Sequence, residues 1–437
     1  MLGVFSHPTY RRLFTAQVVA LTGTGLATVA LGLLAYDIAG ADAGAVLGTA
    51  LAIKMIAYVG VGPLAGALAT YVPRKALLVT LDVVRAGIAL VLPWVDQVWQ
   101  VYLLIFLLQA ASATFTPTFQ AMIPDVLPDE RDYTRALSLS RLAYDLESLL
   151  SPLLAAVALA VVTYDLLFVG TAVGFGASAL LVVAALLPAT RTPPARRGLR
   201  ATTQGLRIYL ATPRLRGLFA IHLAVAAAGS MVLVNTVAYV RDVLALGPTD
   251  VALALAANGF GSLVAALSLP RLLDRWRDRT VMLRAGVALA VALLIGMLAT
   301  SWPLLLVLWT VIGASSALVL TPGGRLLRRS AHSGDLPALF AADFSLSHAC
   351  WLVCYPLAGW LATQTGMAST MAVLGAITLG ATAVAAHLWP THDPSSMEHD
   401  HDLADDHEHV DDAVPVGGRL RHSHPYRIDD LHSRWPG

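Results

Sequence analysis

The chain has 437 residues, of which 57% are hydrophobic and only 13% charged. Soluble domains carry about 25% charged residues, so a water-soluble globular class is excluded and an integral membrane protein is expected. The formal net charge of +1 averages two unlike parts: residues 391–437 hold 4 Arg and 11 Asp/Glu, a balance of −7, which leaves +8 for the rest.

In chain order, the apolar stretches are Leu13–Tyr36, Val46–Tyr71, Ala76–Trp94, Val98–Thr118, Ala136–Val162 and Leu166–Leu187. After an arginine-rich break follow Leu215–Tyr239, Val251–Leu269, Val281–Thr300, Trp302–Leu320, Leu336–Ala362 and Ala368–Leu388. Each is long enough to cross about 30 Å of hydrocarbon as a helix. The first is too long for a signal-peptide core and is read as a retained span. The expected fold class is an all-α membrane protein with twelve transmembrane helices. Its parts are an N-terminal six-helix bundle (1–188), a cytoplasmic linker (189–214), a C-terminal six-helix bundle (215–390) and a tail (391–437).

Basic residues alternate between the loops. Arg11 and Arg12, Arg74 and Lys75, Arg131 and Arg135, six linker arginines, Arg271 to Arg279, and Arg325 to Arg329 fall on one side. The other side has Arg241 beside Asp37, Asp42, Asp96, Asp165 and Asp250. The positive-inside rule then puts both termini, and the tail, in the cytoplasm.

The two halves echo one another. Leu13-Phe14 with Gln17 matches Leu218-Phe219 with His222, and Thr116-Pro117 matches Thr321-Pro322, both 205 apart. Ser151-Pro152 matches Tyr355-Pro356 at 204, and Pro73-Arg74 matches Pro270-Arg271 at 197. Two parallel six-helix repeats with a substrate path between them are expected.

Ionisable groups inside a membrane are costly and face the bundle interior or a wet cavity. Arg141, Asp145, Ser148 and Pro152 share one face of the fifth span by their spacing, with Glu147 turned away from it. Asp343, Ser347, Cys350 and Cys354 share a face of the eleventh, with His348 about 140° from Asp343. Asp145, Glu147, Arg141, Asp343, His348 and His222 are the candidates for transport or proton coupling. Lys54, Asp82, Arg85, Cys350 and Cys354 are secondary, with Asp82 and Arg85 expected to pair. Buried cysteine more commonly serves as a small hydrophobe, and a lone histidine as a satisfied interior group. Gly60-Val-Gly62-Pro-Leu-Ala-Gly66 lies inside a span with no preceding strand, so helix packing explains it better than a nucleotide loop.

The tail holds eight of the thirteen histidines: His392, His399, His401, His407, His409, His422, His424 and His432. Imidazoles and carboxylates at one-residue spacing chelate borderline divalent metals, without selecting among them. So acidic and proline-containing a segment is expected to lack fixed structure until metal binds.

The stretch Gly66-Ala-Leu-Ala-Thr70-Tyr-Val-Pro73-Arg74-Lys75 sits where the major facilitator superfamily has Gly-x-x-x-Asp-Arg-x-Gly-Arg-Arg, with Thr70 replacing the acid and Pro73 the second glycine. Residues 1–390 resemble that superfamily. Phe115-Thr-Pro-Thr-Phe-Gln-Ala-Met-Ile-Pro124-Asp125-Val-Leu-Pro128 resembles its siderophore and macrolide exporters. Continued through Tyr133 to Ser148, and with the closing His422-Ser-His424-Pro-Tyr-Arg-Ile-Asp429-Asp430-Leu-His432, the chain is most similar to bacterial nickel-resistance exporters with histidine-rich tails. The resemblance implies efflux of a divalent metal, Ni2+ or Co2+, by proton antiport across the bacterial inner membrane. The metal is substrate and tail ligand. No cofactor is required, and the partners are lipid, metal ions and protons, with no nucleotide, no nucleic acid and a monomeric state. An alternative is proton-coupled export of a drug or siderophore with a regulatory tail. No catalytic constellation is visible, so an enzyme is not expected.

Overall fold

Hydrocarbon offers no partner to a bare N–H or C=O, so each long apolar stretch closes its backbone hydrogen bonds within a helix. The structure is a computed structural model. It describes residues 2–68, 73–120, 122–127, 129–185, 199–298, 301–332, 335–391, 397–402, 414–416, 419–424, 427–428 and 435. Among these, the first half contains α1 (Pro8–Ala39), α2 (Ala43–Leu68), α3 (Arg74–Val91), α4 (Val98–Gln120), the single turn α5 (Ile123–Val126), α6 (Glu130–Leu159) and α7 (Asp165–Ala184). The linker forms α8 (Leu199–Ala211). The second half contains α9 (Pro213–Ala238), α10 (Pro248–Arg275), α11 (Asp278–Gly296), α12 (Trp302–Ser330), α13 (Leu336–Thr365) and α14 (Met367–Leu388).

All of these except α5 and α8 are long enough to span a bilayer, which makes twelve among the described residues. Hydropathy alone picks out ten stretches, because Pro8–Val61 merges α1 with α2 and because α6 fails the test. The first half of α6 carries Glu130, Arg131, Asp132, Arg135, Arg141, Asp145 and Glu147. The chain is a multi-pass membrane protein. Leu180, Leu267, Val83 and Val173 leave most of their side chains exposed on its flanks, as a lipid-facing surface requires.

The repeat is visible in where the helices begin. α1 and α9 start at Pro8 and Pro213, α2 and α10 at Ala43 and Pro248, and α4 and α12 at Val98 and Trp302. Those starts are separated by 205, 205 and 204 residues. α3 and α11 start at Arg74 and Asp278, again 204 apart, and this corrects one of the sequence matches. Pro73 is the N-cap of α3, whereas Pro270 lies inside α10, so their spacing of 197 does not join equivalent places. The device that does repeat is a cation on a helix C-terminus. Lys75 Nζ donates to Ala185 O at 2.9 Å, and 204 residues on, Arg279 Nε donates to Trp389 O at 2.9 Å. Each satisfies carbonyls left open at the end of α7 or α14 and complements the helix dipole there.

The halves meet through α2 against α13 and α6 against α10. Polar and close contacts between them gather at the end of the bundle where α1 turns into α2. There the Tyr36 hydroxyl donates to Asp242, and the Arg241 guanidinium stands 5.3 Å from the Tyr36 ring centre. Gly44 and Gly359 bring α2 and α13 into backbone contact: a Cβ on Gly359 would stand 2.0 Å from Gly44 O. Asn235 of α9 braces the same place, its amide donating to Ala358 O at 3.0 Å. Overpacking this contact costs about 1–3 kcal/mol, all of it in the form closed at that end, which shifts the closed population roughly 5–150-fold. Gly359→Leu is therefore expected to hold this end open. In a Gly359→Leu chain, a cysteine placed at Tyr36 should react faster with a membrane-impermeant maleimide than in the parent; an unchanged rate refutes the seal.

Met397–Asp402 (β1), Val414–Val416 (β2) and Arg419–His424 (β3) form an antiparallel sheet in the order β1-β3-β2. A sheet forms without a hydrophobic run because its ladder hydrogen bonds do not depend on side-chain polarity, and acidic β1 lies against β3 with its Arg419 and Arg421.

Candidate functional site

Between the halves lies a cavity of about 350 Å³. α1 contributes Gln17, Thr24 and Thr28, α2 contributes Lys54 and Tyr58, and α6 contributes Glu147. Arg85 of α3, Ser112 and Phe115 of α4, and Leu255 and Asn258 of α10 complete much of the wall. The volume and the mix of apolar wall with a few convergent polar groups suit a small-molecule site.

Lys54 and Glu147 lie on neighbouring walls within electrostatic reach of each other. Glu147 reaches the cavity across α1 where that helix has no side chain, its Oε1 2.6 Å from where a Cβ of Gly25 would be. Lys54 Nζ also stands 5.9 Å from the Tyr58 ring centre. Arg85 is fixed in place: it pairs with Asp82, and its guanidinium is 4.1 Å from the Phe115 ring and 4.4 Å from that of Phe175. Ser140 Oγ donates to Gln17 Oε1 at 3.0 Å, tying α6 to α1 beside the opening.

A second cluster is built in the C-terminal half. Asp343 of α13 accepts a hydrogen bond from the Tyr209 hydroxyl of α8 at 2.9 Å, and His222 Nδ1 of α9 is 3.7 Å from the same oxygen. Burial, and then the charge of Asp343, hold the Tyr209 hydroxyl protonated well above the ordinary tyrosine range, so it is a donor at all working pH values. His348 lies elsewhere, as its angle around the helix implies. Its ring stacks on Phe344 at 3.8 Å and faces Tyr58 across the junction with α2, and its Nδ1 is 2.7 Å from Phe344 O.

The candidates therefore separate. Glu147, which the helical spacing turned away from the Asp145 face, lines the cavity. Lys54 has Glu147 within electrostatic reach. Asp82 and Arg85 pair as expected. Asp343 and His222 come together, while His348 stands apart. Cys350 and Cys354 are buried as free thiols. Arg141 and Asp145 belong to α6, but their side chains lie outside the described residues, as do His392, His407, His409 and His432 altogether. Among the described residues, no three His, Cys, Asp or Glu side chains are gathered as a metal site. In the tail, backbone register pairs His399 with His422 and Met397 with His424. Alternation along a strand then puts positions 399, 401, 422 and 424 on one face of the ladder. Tyr209 had no signal in the sequence; an amphipathic linker helix with one tyrosine in its last turn looks like any surface helix until its partner is known.

The sequence pattern of the Major Facilitator Superfamily matches residues 13–247 and again 218–407. The chain belongs to the major facilitator superfamily. As a member it is a secondary transporter, and the double match agrees with the two six-helix repeats. No curated protein matches it significantly. Solved structures of the same fold include the nucleoside transporter NupG, at 13% identity and a TM-score of 0.67 over 87% of this chain and 98% of that one. A D-xylose-proton symporter gives 12%, 0.68, 88% and 98%. A bacterial homolog of the human lysosomal transporter Spinster, inward-facing and unoccupied, gives 12%, 0.65, 87% and 94%. Identities this low establish a shared fold and leave the cargo of this superfamily member to its own residues.

Proposed function

We propose that the protein exports a divalent transition metal, Ni2+ or Co2+, in exchange for protons, as a monomer in the bacterial inner membrane with both termini in the cytoplasm. The observation that carries this reading is the tail, where eight of thirteen histidines are concentrated and four of them share one face of a strand ladder. Imidazole nitrogens on adjacent strands suit borderline divalent ions. On the cytoplasmic side, such a segment raises the local metal concentration at the mouth of the path between the halves. Rocking of the halves about the site would then expose cargo outward. Inward proton movement supplies about 2.3 kcal/mol per charge per 100 mV, and among the described residues Glu147 on the cavity wall and Asp343 beside His222 are the acids to which we assign that exchange.

A second reading has an observation of its own. The cavity presents Lys54 and Arg85 as well as Glu147 on its wall, which favours a zwitterionic or amphipathic organic cargo over a bare cation. Both readings are separated by expressing the chain in a metal-sensitive bacterium challenged with nickel, cobalt, zinc, copper, dyes and antibiotics. Metal export requires higher nickel or cobalt tolerance and lower cell-associated metal. Tolerance to organic compounds with unchanged cell metal rejects the first reading, and increased cell metal reverses its direction.

A further inference from the structure

Helix α8 is docked, not merely tethered. Gly205 lies so close to α13 that a Cβ there would stand 2.1 Å from Ala338 O. One turn later Tyr209 is fully buried, and its hydroxyl donates to Asp343 Oδ1 at 2.9 Å. His222 Nδ1, 3.7 Å from that same oxygen, has no hydrogen-bond partner of its own. One carboxylate oxygen thus joins the linker, α9 and α13.

We propose that Tyr209 is a positioning residue that ties the linker to the charge state of Asp343: α8 is held while that carboxylate is ionised and loosened when the carboxylate itself is neutralised, a proton on His222 alone leaving the hydrogen bond in place. A hydrogen bond to an ionised acceptor is roughly twice as strong as one between neutral groups. Protonating the carboxyl removes that advantage, so proton binding and α8 docking oppose each other, and by linkage the opposition is reciprocal. The other titratable groups near Asp343 are Cys350 and His348 of its own helix; from α2, Lys54 and Tyr58 face His348 rather than the pair. Because α8 belongs to the segment that joins the two halves, proton uptake would change how firmly they are held together. That consequence for transport rests on the coupling role proposed above for Asp343; the docking claim does not.

Amide hydrogen exchange of residues 199–211 tests it, using the full chain in detergent without substrate, from about pH 8 to below the ordinary aspartate value of about 3.9, with rates corrected for the intrinsic pH dependence of exchange. In the parent, protection of α8 should fall several-fold as the pH drops. Tyr209→Phe, which removes one oxygen, and Asp343→Asn should each give low protection at every pH, and the double variant no lower than either alone. Exchange in α11, which packs on α12 and α14, reports that the bundle is intact. Protection of α8 that ignores pH in the parent, a surviving pH response in Asp343→Asn, or additive losses in the double variant each overturn the proposal. No metal or organic cargo enters the measurement, so its failure and a failure of metal export are told apart.

Discussion

Glu147→Gln is expected to abolish proton-driven transport while leaving a folded protein. The substitution keeps shape and hydrogen-bonding capacity and removes the charge that Lys54 faces across the cavity. A carboxylate that alternates between protonated and ionised forms is the simplest way for a passage in hydrocarbon to carry protons, and a neutral amide cannot do so. Breaking a fully buried ion pair costs about 3–5 kcal/mol; Lys54 and Glu147 interact across a cavity and form no direct ion pair, so a smaller loss of about 1–3 kcal/mol is expected. The paired change Lys54→Gln with Glu147→Gln removes the orphaned cation and should regain most of that stability without regaining coupling. Proteoliposomes with an imposed pH gradient measure the first quantity, and thermal unfolding in detergent the second. Wild-type accumulation driven by protons in Glu147→Gln removes Glu147 from the mechanism.

Replacing His399, His401, His422 and His424 together by alanine is expected to weaken divalent-metal binding by the full chain about tenfold or more, which is about 1.4 kcal/mol. These positions lie on one face of the β1–β3 ladder, with His399 directly opposite His422. Imidazole binds metal only when deprotonated, so binding by the parent should weaken as pH falls below about 6.5. On the proposed reading the tail delivers cargo without forming the passage, so apparent affinity for transport should suffer more than maximal rate. Calorimetric titration with Ni2+ and concentration-dependent uptake into inverted vesicles read the two effects. Undiminished binding in the fourfold variant assigns the metal to other residues, and a maximal rate that falls as much as affinity assigns the tail a place in the passage itself.

The two experiments probe parts of the chain that were unequally legible. The membrane helices could be read because hydrocarbon imposes length and apolarity on every span. α6 escaped the hydropathy criterion yet was marked by Pro152 and the apolar run that follows. The offset near 205 was legible at Gln17 and His222 because helix starts recur at that interval. It misled at Pro270, since a proline-arginine pair is too common to identify an equivalent place on its own. Asp82 with Arg85 was legible because residues three apart on a helix are neighbours.

By itself, the sequence determined the membrane class, the twofold repeat, the charge asymmetry of the loops and the crowding of imidazoles in the tail. These are properties of segments, set by composition and by the period of a helix. Only the tertiary structure decided that Glu147 faces Lys54, that Asp343 meets His222 and a linker tyrosine, and that Gly44 meets Gly359. Each of those pairs is distant in sequence. Which face of a helix meets which neighbour depends on how whole helices pack, and an apolar helix with polar residues on several sides does not announce which side is wet.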